Sequence, residues 1–284
     1  MLVLALDTAT EAVAVGLLDV PRNAAATVLA SRVRHGARQH GEQLMPAVLE
    51  VCADAGHPLA EVDAVVCGAG PGPFTGLRVG LVSAAGLGDA LGVPVYGVCS
   101  LDAIAGEAAM GEPLLVVSDA RRREVYWAAY DGAGRRVTGP AVDTPAEVAA
   151  RVAELRVRRV AGPVAAAHAE LFGLPEYPSA GAGLAPSPAG LVAAAGEQLR
   201  AGEPPAPLEP YYLRRPDAVP PGERKRAVPA SERDGAGKRD GAGKRDGTGK
   251  RDGTGKRDGT GQRDGAGQRD GAGERAERER ISLG

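Results

Sequence analysis

The chain has 284 residues, and its formal net charge of −2 conceals two parts of opposite sign. Residues 1–215 carry 17 arginines and no lysine against 23 acidic residues, a net charge of −6, whereas residues 216–284 carry 17 bases and 13 acids, a net charge of +4. The lack of lysine excludes Schiff bases, Walker loops and a kinase-type lysine from the first part, and an acidic body is by itself a poor platform for nucleic acid.

The three cysteines, Cys52, Cys67 and Cys99, are odd in number and widely spaced in apolar surroundings. This pattern favours reduced, buried thiols over a disulfide framework. The chain has no run of 18 apolar residues, and its N-terminal stretch lacks a basic region and meets Asp7 too early for a signal peptide. We therefore expect a cytoplasmic protein without a membrane segment.

The first predicted elements are a strand over residues 2–6, a turn that contains Asp7 and Thr8, and a second strand over residues 12–18. A strand, a tight turn with an acid and a hydroxyl, and an antiparallel strand open the ribonuclease H-like and actin-like folds. In those folds the two side chains can face a phosphate or a metal. An ordinary polar hairpin turn is the alternative.

The next predicted elements are a strand over residues 27–33 and a helix over residues 42–55, whose apolar positions share one face. His35 and His40 precede this helix at a spacing of five. Two metal-binding histidines on one helical face are instead four residues apart, so we expect no metal site here.

A glycine-rich turn and a helix follow a strand over residues 64–67 and precede another strand over residues 93–98. Small residues recur at every fourth position of that helix and form a bare ridge: Gly76, Gly80, Ala84 and Gly88. Each glycine costs about 1 kcal/mol relative to alanine in a helix, so we expect the ridge to pack closely against another helix, in this chain or in a partner. A plain turn followed by a buried helix is the alternative.

The pattern of residues 2–18 recurs over residues 114–130, as expected for a duplicated fold. A predicted strand over residues 114–117 again ends at an acid, Asp119, and another strand follows over residues 124–130. Arg121, Arg122 and Arg123 occupy the turn between them. They form either a solvated turn or a contact for an anion or a partner.

The remaining predicted elements are a short helix over residues 100–109, a short strand over residues 159–162, and helices that start at Thr144-Pro145 and Ser187-Pro188, where a capping residue precedes a proline. At the first of these starts Glu147 completes a capping box with Thr144. Tyr211 to Leu213 is a candidate for docking on the body. From residue 233 the chain repeats RDGAGK or a close variant seven times. This segment has no apolar face, which predicts disorder.

Several motifs occur in an order that is similar to one known family: Asp7-Thr8, HGEQLMP over residues 40–46, GPGPFTGLRVG over 70–80, DARRREVY over 119–126, and YLR over 212–214. Together they resemble the bacterial TsaB (YeaZ) family of tRNA threonylcarbamoyladenosine biosynthesis. The resemblance covers residues 1–215. Pro73 and Gly41 each replace a serine that is usual in the family's motifs.

The resemblance implies an α/β, actin-like ATPase (ribonuclease H-like) duplicated fold, with two mixed β-sheets and flanking helices. It implies one half over residues 1–109 and a second over residues 110–215. The tail over residues 216–284, predicted to be disordered from its composition, lies outside the family pattern. It also implies a non-catalytic dimerisation and scaffold subunit of the complex that modifies N6 of adenosine 37 in tRNAs reading ANN codons. The transferase of that complex, TsaD, carries a metal-binding His-x-x-x-His that is missing here.

The resemblance further implies a heterodimer with TsaD through the first two helices, with residues of both at the interface: Leu44, Val48, Val51, Gly76, Leu77, Gly80, Leu81, Ala84 and Gly88. The ATPase TsaE would join this pair, with a functional link to TsaC. Arg78, Arg121 and Arg122 are expected to contact an anion or a partner. ATP and Mg²⁺ would be used through the partner subunits, tRNA would be met only in the complex, and a homodimer would form without TsaD.

A self-sufficient, actin-like nucleotide-binding phosphotransferase is the alternative function. Asp7, Thr8 and Asp119 would then surround a magnesium nucleotide. Under the TsaB resemblance these three residues would be only the vestige of such a nucleotide site. A protease-like or peptide-binding module is a third interpretation, but no nucleophile with a neighbouring base supports it.

Overall fold

The computed structural model describes residues 1–36, 39–108, 111–177 and 185–214, all of which fall within one compact unit, Met1–Val219. The predicted disordered tail, 216–284, lies outside the described residues and stays a prediction. No helix in the described ranges is both long enough and apolar enough to cross a membrane. The three cysteines are buried free thiols, as predicted.

The described ranges contain nine strands and six α-helices. The strands are β1 (Leu2–Asp7), β2 (Ala12–Asp19), β3 (Thr27–His35), β4 (Ala64–Gly68), β5 (Val95–Val98), β6 (Leu114–Asp119), β7 (Val125–Tyr130), β8 (Arg136–Asp143) and β9 (Arg159–Ala161). The helices are α1 (His40–Ala55), α2 (Phe74–Leu91), α3 (Ser100–Ala108), α4 (Pro145–Leu155), α5 (Ala165–Phe172) and α6 (Pro188–Ala201).

The strands form two mixed sheets that repeat one arrangement. The first has the order β3-β2-β1-β4-β5, and the second has the order β8-β7-β6-β9. In each sheet the inner strand, β1 or β6, pairs antiparallel with the strand that follows it and parallel with a later strand, β4 or β9. This repetition confirms the predicted fold class and the predicted duplication.

Two elements escaped prediction, and both have weak sequence patterns. Strand β8 lies at the edge of its sheet and contains Gly139 and Pro140, which are both disfavoured inside strands. Helix α5 has only eight residues and is rich in alanine, so it shows no clear apolar period. By contrast, the predicted capping box at Thr144 is confirmed, because Glu147 N donates to Thr144 Oγ1 at 3.3 Å and Thr144 N donates to Glu147 Oε2 at 2.8 Å.

Helices cover both faces of the first sheet. Alternate residues of a strand point to opposite faces, and in β1 Leu4 and Leu6 pack with α1 and α2, whereas Val3 and Ala5 pack with α6. Helix α6 belongs to the predicted second half, 110–215, yet it covers the sheet of the first half. The two halves therefore share a core, although each has its own sheet.

The predicted interface residues do not lie on the surface. All nine are buried in the chain's own core, and the six larger side chains belong to the cluster under α1 and α2: Leu44, Val48, Val51, Gly76, Leu77, Gly80, Leu81, Ala84 and Gly88. Within the single chain these residues belong to its own core, and the prediction that they contact a partner stays a prediction. The apolar face that the sequence reveals is the one these helices need for their own sheet.

The glycine ridge of α2 packs closely, as predicted, but against strands rather than another helix. A Cβ atom on Gly76 would lie 2.7 Å from Thr8 O, and one on Gly80 would lie 2.4 Å from Thr8 Oγ1. At the other end of the helix, a Cβ on Gly88 would lie 2.2 Å from Val95 Cγ2. The ridge thus lets α2 approach the end of β1 and the start of β5 in the same chain.

We expect Gly80→Ala to destabilise the protein by about 1–3 kcal/mol, because the new methyl group would overpack against Thr8. Gly86→Ala is the matched control, since Gly86 is an exposed residue of the same helix whose Cβ would meet nothing within 4 Å. That control should stabilise the protein by up to about 1 kcal/mol. Urea unfolding followed by circular dichroism measures both, and equal stabilisation by the two substitutions would contradict the close contact.

Candidate functional site

The turn that follows β1 lies beneath the glycine-rich loop, residues 69–73. Asp7 is 1 % exposed, and its Oδ1 accepts a hydrogen bond from Ala9 N at 2.8 Å, while its Oδ2 accepts one from Ser100 Oγ at 2.5 Å. A Cβ on Gly68 would lie 1.7 Å from Asp7 Oδ2, so only glycine leaves room for the carboxylate. Both carboxylate oxygens therefore have partners within the chain.

Burial raises the pKa of Asp7 from its ordinary 3.8 to about 6, although the hydrogen bonds from Ser100 and Ala9 lower it. Thr8 is also buried, and its hydroxyl donates to Gly76 O at 2.7 Å. Neither residue lines either of the two clefts described below. Both side chains tie β1 to its neighbours, and the prediction that Asp7 and Thr8 face a bound nucleotide stays a prediction.

Asp119, the third nucleotide-site candidate, does line a cleft of about 330 Å³ between the two sheets. Residues from both sides line it: Ala9, Thr10, Glu11, Ala12, His35, Pro73, Ser118, Asp119, Arg121, Pro163, Val164 and Ala185. Arg121 Nη2 donates to Glu11 Oε1 at 3.0 Å, and Arg121 Nε lies 3.4 Å from Asp119 Oδ2. Two carboxylates thus surround the one arginine among these lining residues.

The turn between β6 and β7 has an unusual backbone. Arg121, Arg122 and Arg123 have φ values of 62°, 54° and 65°, in the left-handed region that non-glycine residues rarely adopt. The turn is closed by Glu124 N, which donates to Arg121 O at 3.0 Å. Left-handed geometry costs roughly 1–2 kcal/mol per residue, and such strain concentrates at functional sites. Three consecutive arginines do not signal left-handed backbone in the sequence, because this conformation is typical of glycine.

A larger groove of about 650 Å³ lies beside this turn. The start of α2, the arginine turn and the C-terminal segment line it: Gly72, Pro73, Phe74, Arg78, Ala120, Arg121, Arg122, Tyr126, Tyr211, Tyr212, Leu213 and Arg214. We call it the arginine–tyrosine groove. It brings together Arg78, Arg121 and Arg122, which the sequence marked as candidate anion or partner contacts.

The C-terminal segment docks on the body, as the sequence suggested. Tyr211 N donates to Ala69 O at 2.9 Å, and Arg214 forms an ion pair with Glu124. The ring of Tyr212 stacks on Phe74 with centroids 5.3 Å apart. This segment therefore joins the glycine-rich loop of the first half to the arginine turn of the second.

Helices α1 and α2 contact each other and expose apolar residues on the side away from the sheet. The side chains of Leu49 and Val82 are 56 % and 70 % exposed. We call five exposed apolar residues of the two helices the helical strip: Met45, Leu49, Ala53, Val82 and Ala85. Sequence reasoning missed it, although the four-residue spacing of Met45, Leu49 and Ala53 signals a second apolar stripe on α1.

The described residues contain no group of three or more histidine, cysteine or acidic side chains that could hold a metal ion. His35 lines the cleft between the sheets, whereas His40 is buried with its Nε2 2.9 Å from Thr10 O. The two histidines thus have different surroundings.

The buried carboxyl of Asp7 should make stability depend on pH. The unfolded chain binds its proton below about pH 4 and the folded chain below about pH 6, so ionisation of Asp7 should lower the free energy of unfolding as pH rises from 4 to 7. The loss should be on the order of 3 kcal/mol. Asp7→Asn should lack this component, which urea titrations of both proteins at pH 4.5 and 7.5 would measure. Parallel pH profiles would contradict the raised pKa.

Comparisons with known proteins agree with this fold. The family model described as TsaD, tRNA N6-adenosine threonylcarbamoyltransferase, matches residues 27–199. An uncharacterized protein of Mycobacterium tuberculosis is 54 % identical over 219 residues, which are 77 % of this chain and 94 % of the relative. The tRNA threonylcarbamoyladenosine biosynthesis protein TsaB of Escherichia coli is 36 % identical over 133 residues, which are 46 % of this chain and 55 % of that relative.

A solved structure supports the same relationship over a longer span. The structure of YeaZ from Pseudomonas aeruginosa superposes with a TM-score of 0.59 at 32 % identity, covering 75 % of this chain and 99 % of that chain. The motif of the glycine-rich loop, the architecture of two mixed sheets and these relatives all point to one family. The chain therefore belongs to the TsaB (YeaZ) family.

Proposed function

We propose that this chain is a non-catalytic scaffold subunit of the complex that transfers a threonylcarbamoyl group to N6 of adenosine 37 in tRNAs reading ANN codons. Relatives named for threonylcarbamoyladenosine biosynthesis support the pathway. The observation that carries the scaffold role is the helical strip, an exposed apolar surface on two helices whose inner faces are already used by the core. Such surfaces mark protein interfaces when they are contiguous.

The partner we propose for the helical strip is TsaD, the transferase subunit. Helices α1 and α2 are the elements expected at the interface, but the contacting residues move to their outer sides. Leu49 and Val82 are large enough to act as apolar anchors in a partner's pocket. Beside the strip, Glu50 and Asp54 form ion pairs with Arg34 and Arg32 of β3, which gives it a charged border.

The surroundings of Asp7 support the proposal that this subunit holds no nucleotide firmly by itself. The Asp7 carboxylate is almost fully buried and accepts two hydrogen bonds inside the protein, so a magnesium ion has little access to it. In the neighbouring cleft Arg121 already lies between Glu11 and Asp119. ATP and Mg²⁺ would then be used through the partner subunits. TsaE would join the pair of this chain and TsaD, and TsaC would be linked to them functionally. The complex would act in the cytoplasm.

A self-sufficient phosphotransferase is the alternative function. It requires the buried Asp7 carboxylate to become accessible to a magnesium nucleotide, and no observation favours that change. Titration of the purified chain with ATP in a calorimeter separates the two functions, because micromolar binding would support the phosphotransferase. A homodimer through the same helical strip is expected when TsaD is absent, since the strip would otherwise meet water.

Leu49→Asp and Val82→Asp should each weaken binding to TsaD by about tenfold or more, because a carboxylate would replace a buried anchor. Leu171→Asp on α5 is the matched control, since Leu171 is similarly exposed at 53 % and should not matter. All three positions are exposed, so the melting temperature should change little. Co-purification, calorimetric titration with TsaD and quantification of the modified adenosine test the proposal together.

Unchanged affinity of both strip variants for TsaD would contradict the assignment of the interface. Full modification of tRNA in cells that lack this chain would contradict the scaffold function itself. The two outcomes are distinguishable, because the first concerns where the partner binds and the second concerns whether this chain is needed.

A further inference from the structure

The arginine–tyrosine groove is not accounted for by the scaffold function. Its lining residues include four arginines, Arg78, Arg121, Arg122 and Arg214, and no acidic residue. Arg121 and Arg214 form ion pairs with carboxylates outside the lining, namely Glu11 and Asp119 for the first and Glu124 for the second. The groove thus concentrates cations on a body whose first 215 residues are acidic overall.

Arg78 is the arginine with the most distinctive surroundings. Its guanidinium carbon lies 3.8 Å from the centroid of the Phe74 ring, and its Nε donates to the Tyr212 hydroxyl at 2.8 Å. Among the described residues Arg78 forms no ion pair with a carboxylate. The aromatic contacts hold this cation at the groove while its charge stays uncompensated.

Aromatic residues are four of the eight lining residues of the groove other than arginine. Phe74 and Tyr212 stack on each other and are both exposed, while Tyr126 and Tyr211 contribute from the second sheet and the C-terminal segment. Exposed, stacked rings beside guanidinium groups match the two parts of a nucleotide, because a base stacks on a ring and a phosphate pairs with an arginine.

We propose that the arginine–tyrosine groove binds an unpaired nucleotide of the tRNA substrate within the assembled complex. The inference rests on the proposed function, which brings tRNA to this subunit. A base would stack on the exposed Tyr212–Phe74 pair, and Arg78 would contact the adjacent phosphate. Single-stranded RNA is recognised in this way, by stacking on aromatic side chains and arginine planes.

Other occupants fit the groove less well. The chain's own C-terminal part, residues 216–284, has a net charge of +4 and so offers no net negative charge for arginines. An acidic peptide would satisfy the arginines but would leave the exposed ring pair without a stacking partner. A nucleotide satisfies both. Because the body is acidic, the groove should contribute to affinity only when the partner supplies further contacts, in agreement with tRNA binding through the complex.

The proposal is tested with the complex of the full chain and TsaD, and with a fluorescein-labelled, unmodified transcript of a tRNA that reads an ANN codon. Fluorescence anisotropy gives the dissociation constant at several salt concentrations for wild type, Arg78→Gln and Tyr212→Leu. Arg151→Gln is the matched control, since Arg151 lies 4.8 Å above the Trp127 ring and outside the groove residues. Assembly with TsaD is measured for each variant first.

The two groove variants should fail in different ways. Arg78→Gln should reduce the slope of log affinity against log salt by about 0.7, the value for one phosphate contact on a single strand. Tyr212→Leu should weaken binding roughly 5- to 100-fold, as loss of one stacked base does. It should change the salt slope less than Arg78→Gln does, because the Phe74 ring still holds the Arg78 guanidinium. Arg151→Gln should match wild type in both measurements.

Each other outcome overturns the proposal. Wild-type affinity and slope in both groove variants would exclude a nucleotide contact, and loss of TsaD binding in those variants would assign the groove to the partner protein. ATP binding that is lost in Arg78→Gln, with tRNA binding unchanged, would assign it to a free nucleotide. Failure of the wild-type chain to bind TsaD would overturn the proposed function and this inference with it.

Discussion

The close approach of helix α2 to the end of strand β1 is the contact on which the rest of this structure depends. The Thr8 hydroxyl donates to Gly76 O, and a Cβ atom on Gly76 or Gly80 would lie too close to an oxygen of Thr8, so both positions require glycine. The approach fixes where α2 begins, and therefore where the glycine-rich loop runs and where Phe74 and Arg78 stand. The turn after β1 thus positions both the buried carboxyl of Asp7 and, through α2, the residues on one side of the arginine–tyrosine groove.

Much of the fold was predictable because its signals are local. Apolar runs of four to seven residues predicted the central strands, and capping residues predicted the starts of α4 and α6. The repeated strand, acid and strand pattern gave the duplication. Strand β8 was missed because an edge strand with Gly139 and Pro140 has no alternating pattern, and the placement of α6 on the first sheet was missed because nothing local marks a packing partner.

The functional surfaces were harder to predict, for a physical reason. An amphipathic pattern tells that a helix has an apolar face but not what covers it, so the residues assigned to a partner proved to face the chain's own sheet. The acid and hydroxyl after β1 likewise suggested a site, yet a single hydroxyl, that of Ser100, and the backbone of Ala9 engage the carboxylate. Arg78, Arg121 and Arg122 do line one groove, as the motifs suggested. Arg78 follows the glycine-rich loop and the other two occupy the turn between β6 and β7, and these two segments lie side by side because the halves share a core.

The position of α6 has a consequence for synthesis of the chain on the ribosome. Val3, Ala5 and Val66 are translated early, but Leu191, Val192, Ala195 and Leu199, which cover them, are translated only after both sheets. One face of the first sheet must therefore remain without its native cover until most of the protein has emerged, and a nascent chain in that state is a natural substrate for chaperones. For the same reason the first half is not a module that could be excised or exchanged between proteins, although its sheet is complete in itself.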